Sequence, residues 1–114
     1  MDEDIVKNGM FENLNSYKWY KDNVLHRVDG PAIEYFNGDE EWYFEGKLHR
    51  VDGAAYISLH GKYKEWWQHN FLHRLDGPAV IMSSGNEMWY YKGKIIHCNS
   101  QKEFEKILNL KAFM

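Results

Sequence analysis

An eight-residue segment occurs three times along this chain, with few changes between the copies. The copies lie at residues 25–32, 48–55 and 72–79 and share the pattern Leu-His-Arg-x-Asp-Gly-x-Ala, in which x varies. A degraded fourth copy follows at residues 96–100, so the four motif histidines stand 23, 24 and 24 residues apart. A period of this length is typical of stacked supersecondary units. The chain is therefore predicted to be a repeat protein.

Each predicted repeat contains two short strands separated by turns. The first strands are rich in Trp and Tyr, which favour this conformation, and cover residues 18–21, 41–44, 65–68 and 88–91. The second strands follow the motif and cover residues 32–36, 55–58 and 79–82. Gly and Asn, which accept positive φ, mark turns at residues 22–23, 45–47, 69–70, 92–94, 37–39, 60–62 and 84–86. The pattern predicts a mainly β fold, an antiparallel meander of stacked β-hairpins with about four repeats and about eight strands.

The chain of 114 residues is predicted to form one domain, residues 1–114, because a chain of this size supports a single modest core. Residues 1–16 are polar and are predicted to cap the first repeat, since a repeat array has an unpaired side at each end. Residues 17–99 are predicted to hold the four repeats. Residues 100–114 are predicted to close the array as a capping helix.

The closing segment carries the signals of a helix start. Ser100 is followed three residues later by Glu103, a capping-box sequence that satisfies two otherwise unpaired backbone donors. Three apolar residues then follow at helical spacing, Phe104, Ile107 and Leu108. The pattern predicts an amphipathic helix over residues 101–112 whose apolar stripe packs on the last repeat.

Composition limits the classes of function. The net charge is −3 with both signs interspersed, so the chain has no long-range field that would attract nucleic acid or an anionic membrane. Cys98 is the single cysteine, which excludes an intramolecular disulfide. The acidic amino terminus and the lack of an apolar run of roughly 20 residues predict a cytoplasmic protein that does not span a membrane.

No catalytic residue, cofactor or metal ion is predicted. The sequence contains no phosphate-binding glycine loop, nucleophile elbow or recognisable carboxylate pair. Equivalent histidines of neighbouring repeats would stand about 9–10 Å apart, because each repeat contributes two strands about 4.8 Å apart. That separation is too large for one ion ligated at about 2 Å. His97 and Cys98 are adjacent on a strand and point to opposite faces, so they cannot act as base and nucleophile.

The motif places charged residues in a fixed arrangement. The chain has three arginines, Arg27, Arg50 and Arg74, and each follows a motif histidine and precedes an aspartate by two residues. A planar guanidinium can grip a carboxylate or backbone carbonyls at fixed geometry, which an ammonium cannot. In the fourth copy, Cys98 and Ser100 stand at the arginine and aspartate positions. This joint loss indicates that arginine and aspartate interact, within a repeat or across the stack.

Two interpretations of the motif are open at this point. In the first, the motif is a structural hydrogen-bonded ladder that holds the turns in register, with Asp-Gly making a tight turn. Its members besides the arginines are His26, Asp29, His49, Asp52, His73 and Asp76. In the second interpretation, the three arginines bind an anionic ligand or an acidic partner.

Two aromatic rows are predicted on opposite faces of the sheet, since side chains alternate along a strand. The Trp row consists of Trp19, Trp42, Trp66 and Trp89 and is assigned to a packed, structural face. The Tyr row consists of Tyr20, Tyr43, Trp67 and Tyr90. Because Tyr and Trp are enriched at interfaces, the Tyr row is assigned, with the three arginines, to partner binding. The alternative is that both rows are core, closed by curvature and the terminal caps.

The segments at residues 45–49 and 92–97, each after an aromatic strand, resemble MORN repeats. Tyr43 falls at the family's tryptophan position and His49 at its histidine position, and the resemblance covers residues 17–98. The arginine and the Asp-Gly-Pro-Ala extension that follow the histidine depart from the standard pattern, and this variant resembles repeats in proteins of bacteriophages and large DNA viruses. The resemblance implies a single-layer sheet of stacked hairpins that acts as a scaffold or binding surface and not as an enzyme.

The sequence therefore favours a non-enzymatic repeat module that binds another protein. Its most concrete form is a phage or viral accessory protein that acts in the host cytoplasm and inhibits a host factor, such as a defence enzyme. A second class is a binder of a small ligand or nucleotide, in which the arginines hold phosphate and the aromatic row stacks a base. A third is a structural scaffold or a homodimer that forms through terminal strand edges.

Overall fold

The computed structural model describes residues 5–111, which contain 14 short β-strands and one α-helix. The strands are β1 Gly9–Glu12, β2 Ser16–Lys21, β3 Val24–Leu25, β4 Ile33–Tyr35, β5 Glu40–Glu41, β6 Tyr43–Phe44, β7 Lys47–Leu48, β8 Tyr56–Ser58, β9 Tyr63–Glu65, β10 Trp67–Gln68, β11 Phe71–Leu72, β12 Val80–Ile81, β13 Glu87–Tyr91 and β14 Lys94–Ile96. The helix, α1, is Gln101–Lys111, and no helix in the described range is long and apolar enough to cross a membrane. Residues 1–4 of the predicted cap and 112–114 of the predicted closing segment lie outside the described residues.

The strands form an antiparallel meander, which confirms the predicted mainly β fold with a C-terminal helix. The main sheet runs in the order β1-β2-β4-β5-β8-β9-β12-β13-β14, and β3 pairs with β2. Two further sheets have two strands each. β6 pairs with β7 in one of them, and β10 pairs with β11 in the other. The structure measures 57 × 32 × 20 Å, so the array is elongated and too thin to enclose a large central core.

The structure has more strand segments than the roughly eight that periodicity predicts. In every repeat, the residues just before the motif histidine fold back on the aromatic strand, as β3, β7, β11 and β14. The aromatic strand also changes partner at its tryptophan. Trp42 N donates to Ala55 O at 2.7 Å, whereas Trp42 O accepts from His49 N at 3.0 Å. The predicted single strand is therefore divided into β5 and β6, and the equivalent strand of the next repeat into β9 and β10.

The turns between the aromatic strand and the motif have positive φ at both central residues. The pairs are Asp22-Asn23 (φ 48° and 72°), Glu45-Gly46 (50° and 80°), His69-Asn70 (49° and 68°) and Lys92-Gly93 (49° and 84°). Two successive positive φ values are typical of a type I′ turn, whose twist matches that of the flanking strands. The Asn or Gly at the second position of each turn meets this requirement, as the sequence pattern predicts.

The core consists of a thin line of residues along the repeats, among them Ile33 and Val80, and one compact cluster. Along the repeats, three motif alanines are fully buried, Ala32, Ala55 and Ala79. At the carboxyl end, the buried cluster consists of Trp89, Ile96 and Phe104. Phe104 is contributed by α1 and has no exposed surface, so the helix closes the last repeat in the way its apolar spacing predicts.

The start of α1 has the predicted capping residues, with one change of partner. Ser100 Oγ accepts a hydrogen bond from Glu103 N at 3.1 Å, as a capping box requires. The Glu103 carboxylate accepts from Asn99 N at 3.1 Å, one residue earlier than the capping-box pattern expects. The two side chains satisfy two backbone donors at the helix start, so the helix begins where the sequence predicts.

Candidate functional site

Each motif arginine is held inside its own repeat. In the second repeat, the Arg50 guanidinium lies over the Trp42 ring, with Cζ 3.7 Å from the ring centroid. Its Nε donates to Asp52 Oδ1 at 3.1 Å, and its Nη1 donates to Ala54 O at 3.1 Å. The Arg50 side chain is 22% exposed, so most of the guanidinium is covered by the loop that carries it.

The same arrangement recurs in the first and third repeats. Cζ of Arg27 lies 3.7 Å from the Trp19 ring centroid, and Cζ of Arg74 lies 3.9 Å from that of Trp66. The shared hydrogen-bond acceptors are Asp29 Oδ1 and Pro31 O for Arg27, and Asp76 Oδ1 and Pro78 O for Arg74. Arg27 Nη1 also donates to Glu34 Oε1 at 2.6 Å, a contact particular to the first repeat among the three. A planar group with several donors can stack on a ring and donate in two directions at once, and lysine cannot. Arginine and aspartate therefore interact within a repeat.

The motif glycine makes room for the guanidinium. A Cβ atom on Gly53 would lie 2.8 Å from Arg50 Cζ, and one on Gly77 would lie 2.6 Å from Arg74 Cζ. Neither glycine has a positive φ. The sequence interpretation assigns Asp-Gly to a tight turn, but the structure shows that the glycine is needed for space and not for a left-handed backbone. Each guanidinium lies between an indole ring and a glycine backbone.

Replacing Gly53 with Ala is expected to lower the free energy of unfolding by about 1–3 kcal/mol, the usual range for an overpacked site. The added methyl group would displace the Arg50 guanidinium from Trp42 and from Asp52. Urea unfolding of the purified chain measures this change as a shift of the transition midpoint.

A double-mutant cycle with Arg50→Ala is the control for this prediction. In that background, the methyl group has no guanidinium to displace, so Gly53→Ala should cost less than about 0.5 kcal/mol. An equal cost in both backgrounds would show that Gly53 serves the backbone and not the arginine.

The motif histidines join each repeat to the next one. The hydrogen bonds run from Glu45 N to His26 Nδ1 at 2.9 Å, from His69 N to His49 Nδ1 at 3.1 Å, and from Lys92 N to His73 Nδ1 at 2.9 Å. In each case the donor is the first residue of the type I′ turn in the following repeat. Because a backbone N–H can only donate, Nδ1 of each of these histidines is the acceptor. The histidine ladder therefore runs across the stack.

The segment before β1 takes the place of a preceding repeat. Asn8 Oδ1 accepts a hydrogen bond from Asp22 N at 3.0 Å, as a motif histidine does in the later repeats. Asn23 N donates to Lys7 O at 3.0 Å, and Lys7 N donates to Asn23 Oδ1 at 2.7 Å. β1 then pairs with β2. The sequence predicts a cap in this region but does not single out Asn8, because an asparagine in a polar segment has no distinctive pattern.

In the fourth repeat, α1 lies where the other repeats place an arginine. Trp89 is 4% exposed, and its Nε1 donates to Gln101 Oε1 at 2.8 Å. The same carboxamide reaches the preceding motif loop, where Gln101 Nε2 donates to Leu75 O at 2.8 Å. The joint loss of arginine and aspartate in this copy has a direct reason, because the helix covers the tryptophan that an arginine covers elsewhere.

The Tyr row is half-buried, and carboxylates already engage some of its polar groups. The Glu41 carboxylate accepts a hydrogen bond from the hydroxyl of Tyr43 at 2.8 Å, and another from that of Tyr35, which lies outside the row, at 2.7 Å. Burial and the hydrogen bond to Glu41 raise the pKa of Tyr35 to about 12 and also raise the pKa of Tyr43. In the next repeat, Glu65 accepts from Trp67 Nε1 at 2.7 Å. These hydrogen bonds fix the orientation of the rings and leave part of each ring in solvent.

A third row of side chains is absent from the sequence-based predictions. Position x of the motif, between arginine and aspartate, carries Val28, Val51 and Leu75, with exposed fractions of 78%, 79% and 55%. We name these three residues the ridge row, because each is the exposed apolar residue of its motif loop. An aliphatic residue in every copy of an otherwise polar loop is the signal by which the row could have been found.

Two grooves lie between the three motif loops. The first motif groove has a volume of about 530 Å³ and is lined by Val28, Val51 and Trp42, among others. The second motif groove has a volume of about 410 Å³ and is lined by Val51, Leu75 and Trp66, among others. The second motif loop therefore forms a wall of both grooves, and the grooves follow one another along the array at the spacing of the repeats.

The motif loops present carboxylates to solvent more than they present guanidinium groups. The side chains of Asp52 and Asp76 are 83% and 86% exposed, whereas those of Arg50 and Arg74 are 22% and 20% exposed. The hydrogen bond from Arg74 lowers the pKa of Asp76, so this carboxylate is ionised at neutral pH. A partner that approaches the grooves meets carboxylates and aliphatic groups first.

The described residues offer little for metal or thiolate chemistry. Within residues 5–111, no three His, Cys, Asp or Glu side chains are placed to hold a metal ion together. Burial, together with the nearby Glu103 carboxylate, raises the pKa of the Cys98 thiol, and a thiol in this form is a poor nucleophile.

The chain matches no protein-family model, no curated protein and no solved structure.

Proposed function

We propose that this chain is a non-enzymatic repeat module that binds another protein. The observation that carries the proposal is the balance of its apolar surface. Among residues 5–111, 16 large hydrophobic side chains are exposed and five are buried. Soluble monomers expose such side chains singly, whereas contiguous apolar patches mark interaction sites. Here the exposed apolar groups include a regular row along the stacked loops, so the array offers an extended contact surface.

The ridge row and the two motif grooves form the proposed main contact surface. Its aliphatic groups project from loops that are held in place by the arginines, Arg27, Arg50 and Arg74, so little conformational entropy of the loops would be lost on binding. The Tyr row, Tyr20, Tyr43, Trp67 and Tyr90, is the proposed second surface, because half-buried Tyr and Trp rings are common in interfaces. In this proposal the arginines stabilise the loops of the main contact surface and do not themselves bind an anionic ligand.

The most concrete form of the proposal is a phage or viral accessory protein that inhibits a host factor, such as a defence enzyme, in the host cytoplasm. Its support is the His-Arg-x-Asp-Gly-Pro-Ala variant of the MORN-like repeat. A host enzyme that is recovered with the chain and loses activity when saturated with it would support this form.

Replacing Leu75 with Ser is expected to weaken partner binding about tenfold, which corresponds to about 1.4 kcal/mol. Leu75 belongs to the ridge row and lies on a wall of the second motif groove. The immobilised chain would be incubated with lysate of the cells that naturally produce or encounter it, and stoichiometric partners would be quantified by mass spectrometry.

Leu59→Ser is the matched control, since Leu59 is also 55% exposed but lies in the turn between β8 and β9 and is not among the lining residues of either motif groove. Capture that Leu59→Ser preserves and Leu75→Ser reduces supports the proposal. If no protein is recovered in stoichiometric amount, the protein-binding function is wrong. If Leu75→Ser has no effect and Tyr90→Ala abolishes capture, binding occurs through the Tyr row.

Self-association is a second candidate function, favoured by the edge strand β1. Among the described residues, β1 pairs with β2 alone, and all four of its residues are exposed. Such an edge can pair with a second copy. Light scattering coupled to size-exclusion chromatography would show a dimer if this candidate is correct, and a monomer at all concentrations would reject it.

A further inference from the structure

We propose that the second motif groove binds a glutamine side chain of the partner protein. The inference rests on the proposed function, because it names the chemistry by which the partner is held. The groove lies between the second and third motif loops and is lined by Val51, Trp66 and Leu75. The neighbouring position along the array shows how such a side chain is bound, because the chain's own Gln101 occupies it.

The Gln101 carboxamide bridges two groups that belong to successive repeats. Trp89 Nε1 donates to Gln101 Oε1 at 2.8 Å, and Gln101 Nε2 donates to Leu75 O at 2.8 Å. The amide nitrogen also donates to Glu105 Oε2 at 2.8 Å. An indole N–H, a loop carbonyl and a carboxylate together match one acceptor and two donors, which is the hydrogen-bonding pattern of a carboxamide.

The second motif groove contains the same groups one repeat earlier. Trp66 corresponds to Trp89, and Val51 corresponds to Leu75. Among residues 5–111, neither Trp66 Nε1 nor Val51 O takes part in a hydrogen bond of the folded chain. Arg74 lies over the face of the Trp66 ring, and the N–H bond lies in the ring plane, so stacking does not use this donor. The indole donor and the loop carbonyl are therefore available to a ligand.

The charges at the groove select a neutral carboxamide over a carboxylate. Asp52, Arg74 and Asp76 all belong to the lining. The Arg74 guanidinium is 20% exposed and already donates to Asp76 Oδ1 and Pro78 O, whereas the Asp52 and Asp76 carboxylates are 83% and 86% exposed. A glutamate would therefore meet exposed carboxylates and be repelled. They can also accept the second amide proton, as Glu105 does for Gln101. A lysine would suit the carboxylates but has no acceptor for the indole N–H. Glutamine meets all of these requirements, and its aliphatic stem suits a groove whose walls carry Val51 and Leu75.

The first motif groove lacks one of these features and serves as an internal control. Its tryptophan, Trp42, already donates from Nε1 to Glu40 Oε1 at 3.2 Å. A carboxamide in this groove would have to displace Glu40 before it could accept the indole hydrogen bond. The structure therefore assigns glutamine binding to the second groove, and the Trp42 signal should remain unchanged when Trp66 responds.

The test is a titration of the ¹⁵N-labelled full chain with the capped peptide Ala-Leu-Gln-Lys-Ala, followed through the indole N–H signals. Trp66→Phe and Trp42→Phe variants assign the two relevant signals and keep an aromatic ring at each site. The Trp66 signal is expected to shift in a saturable manner with a dissociation constant of about 1 mM, while the Trp42 signal stays in place. The matched peptide Ala-Leu-Glu-Lys-Ala should leave both signals unchanged.

A Trp66 signal that does not move up to about 10 mM peptide, or that moves equally with the glutamate peptide, would overturn the inference. Failure of the glutamine site can be distinguished from failure of the proposed protein-binding function. Leu75-dependent capture of a protein with an unresponsive Trp66 signal would keep the protein-binding function and reject the glutamine site. A saturable, glutamine-specific shift without any captured protein would keep the carboxamide site and reject the protein partner.

Discussion

Phe104→Ala is expected to reduce the free energy of unfolding by about 3–5 kcal/mol, the usual cost of truncating a buried phenylalanine. Phe104 has no exposed surface and packs in one cluster with Trp89 and Ile96. Domains of this size are typically stable by only about 5–15 kcal/mol, so this loss is a large fraction of the total. Chemical unfolding followed by far-ultraviolet circular dichroism measures it.

Leu110→Ala is the matched control on the same helix. Leu110 is 60% exposed, and its truncation is expected to change stability by less than about 0.5 kcal/mol. Phe104→Ala should also make Trp89 accessible to a fluorescence quencher, since α1 would no longer cover its ring. Equal stability of the two variants would contradict the conclusion that α1 closes the last repeat.

Acidification from pH 7.5 to pH 5 is expected to destabilise the chain by about 2 kcal/mol, because two inter-repeat hydrogen bonds of about 1 kcal/mol each are lost. These bonds are accepted by Nδ1 of His49 and His73. Protonation converts Nδ1 from an acceptor into a donor, which faces a backbone N–H. Thermal unfolding at a series of pH values measures the effect.

The direction of this pH dependence follows from the surroundings of the two histidines. Burial lowers the pKa of both, and nearby groups add to the effect, the His69 ring beside His49 and the Lys92 ammonium near His73. The folded chain therefore favours the neutral form more than the unfolded chain, whose histidines titrate near 6.5. The stabilisation is complete above pH 6.5 and is lost as the pH falls from there toward the lowered folded-state pKa.

The chain itself suggests the control for this prediction. Asn8 Oδ1 accepts the equivalent hydrogen bond from Asp22 N, and an asparagine does not titrate. The variant carrying His49→Asn and His73→Asn should therefore keep both bonds at pH 5 and lose much of the difference between pH 7.5 and pH 5. A variant with the same acid sensitivity as the original chain would show that other groups cause it.

The architecture could be read from the sequence because its signals are local and repeated. The type I′ turns are visible as Asn or Gly at residues 23, 46, 70 and 93, and the start of α1 as Ser100 and Glu103. Each of these signals acts within a few residues, and the turn signal is reinforced by its four copies. The repeat period, the hairpins and the closing helix are therefore predictable from the sequence alone.

The candidate site depends on contacts that no local signal encodes. His26 bonds a turn 19 residues later, Asn8 bonds Asp22 across 14 residues, and Gln101 reaches Leu75 across 26. The role of Gly53 is likewise set by a guanidinium that folds over it.

The sequence by itself determined the period, the turn chemistry and the position of the closing helix. Only the tertiary structure decided which groups meet between repeats, which apolar residues stay in solvent and where the grooves lie. The physical reason is that these features depend on the displacement of one repeat relative to the next. That displacement arises from the packing and hydrogen bonds of the whole stack and not from the residues of any single copy.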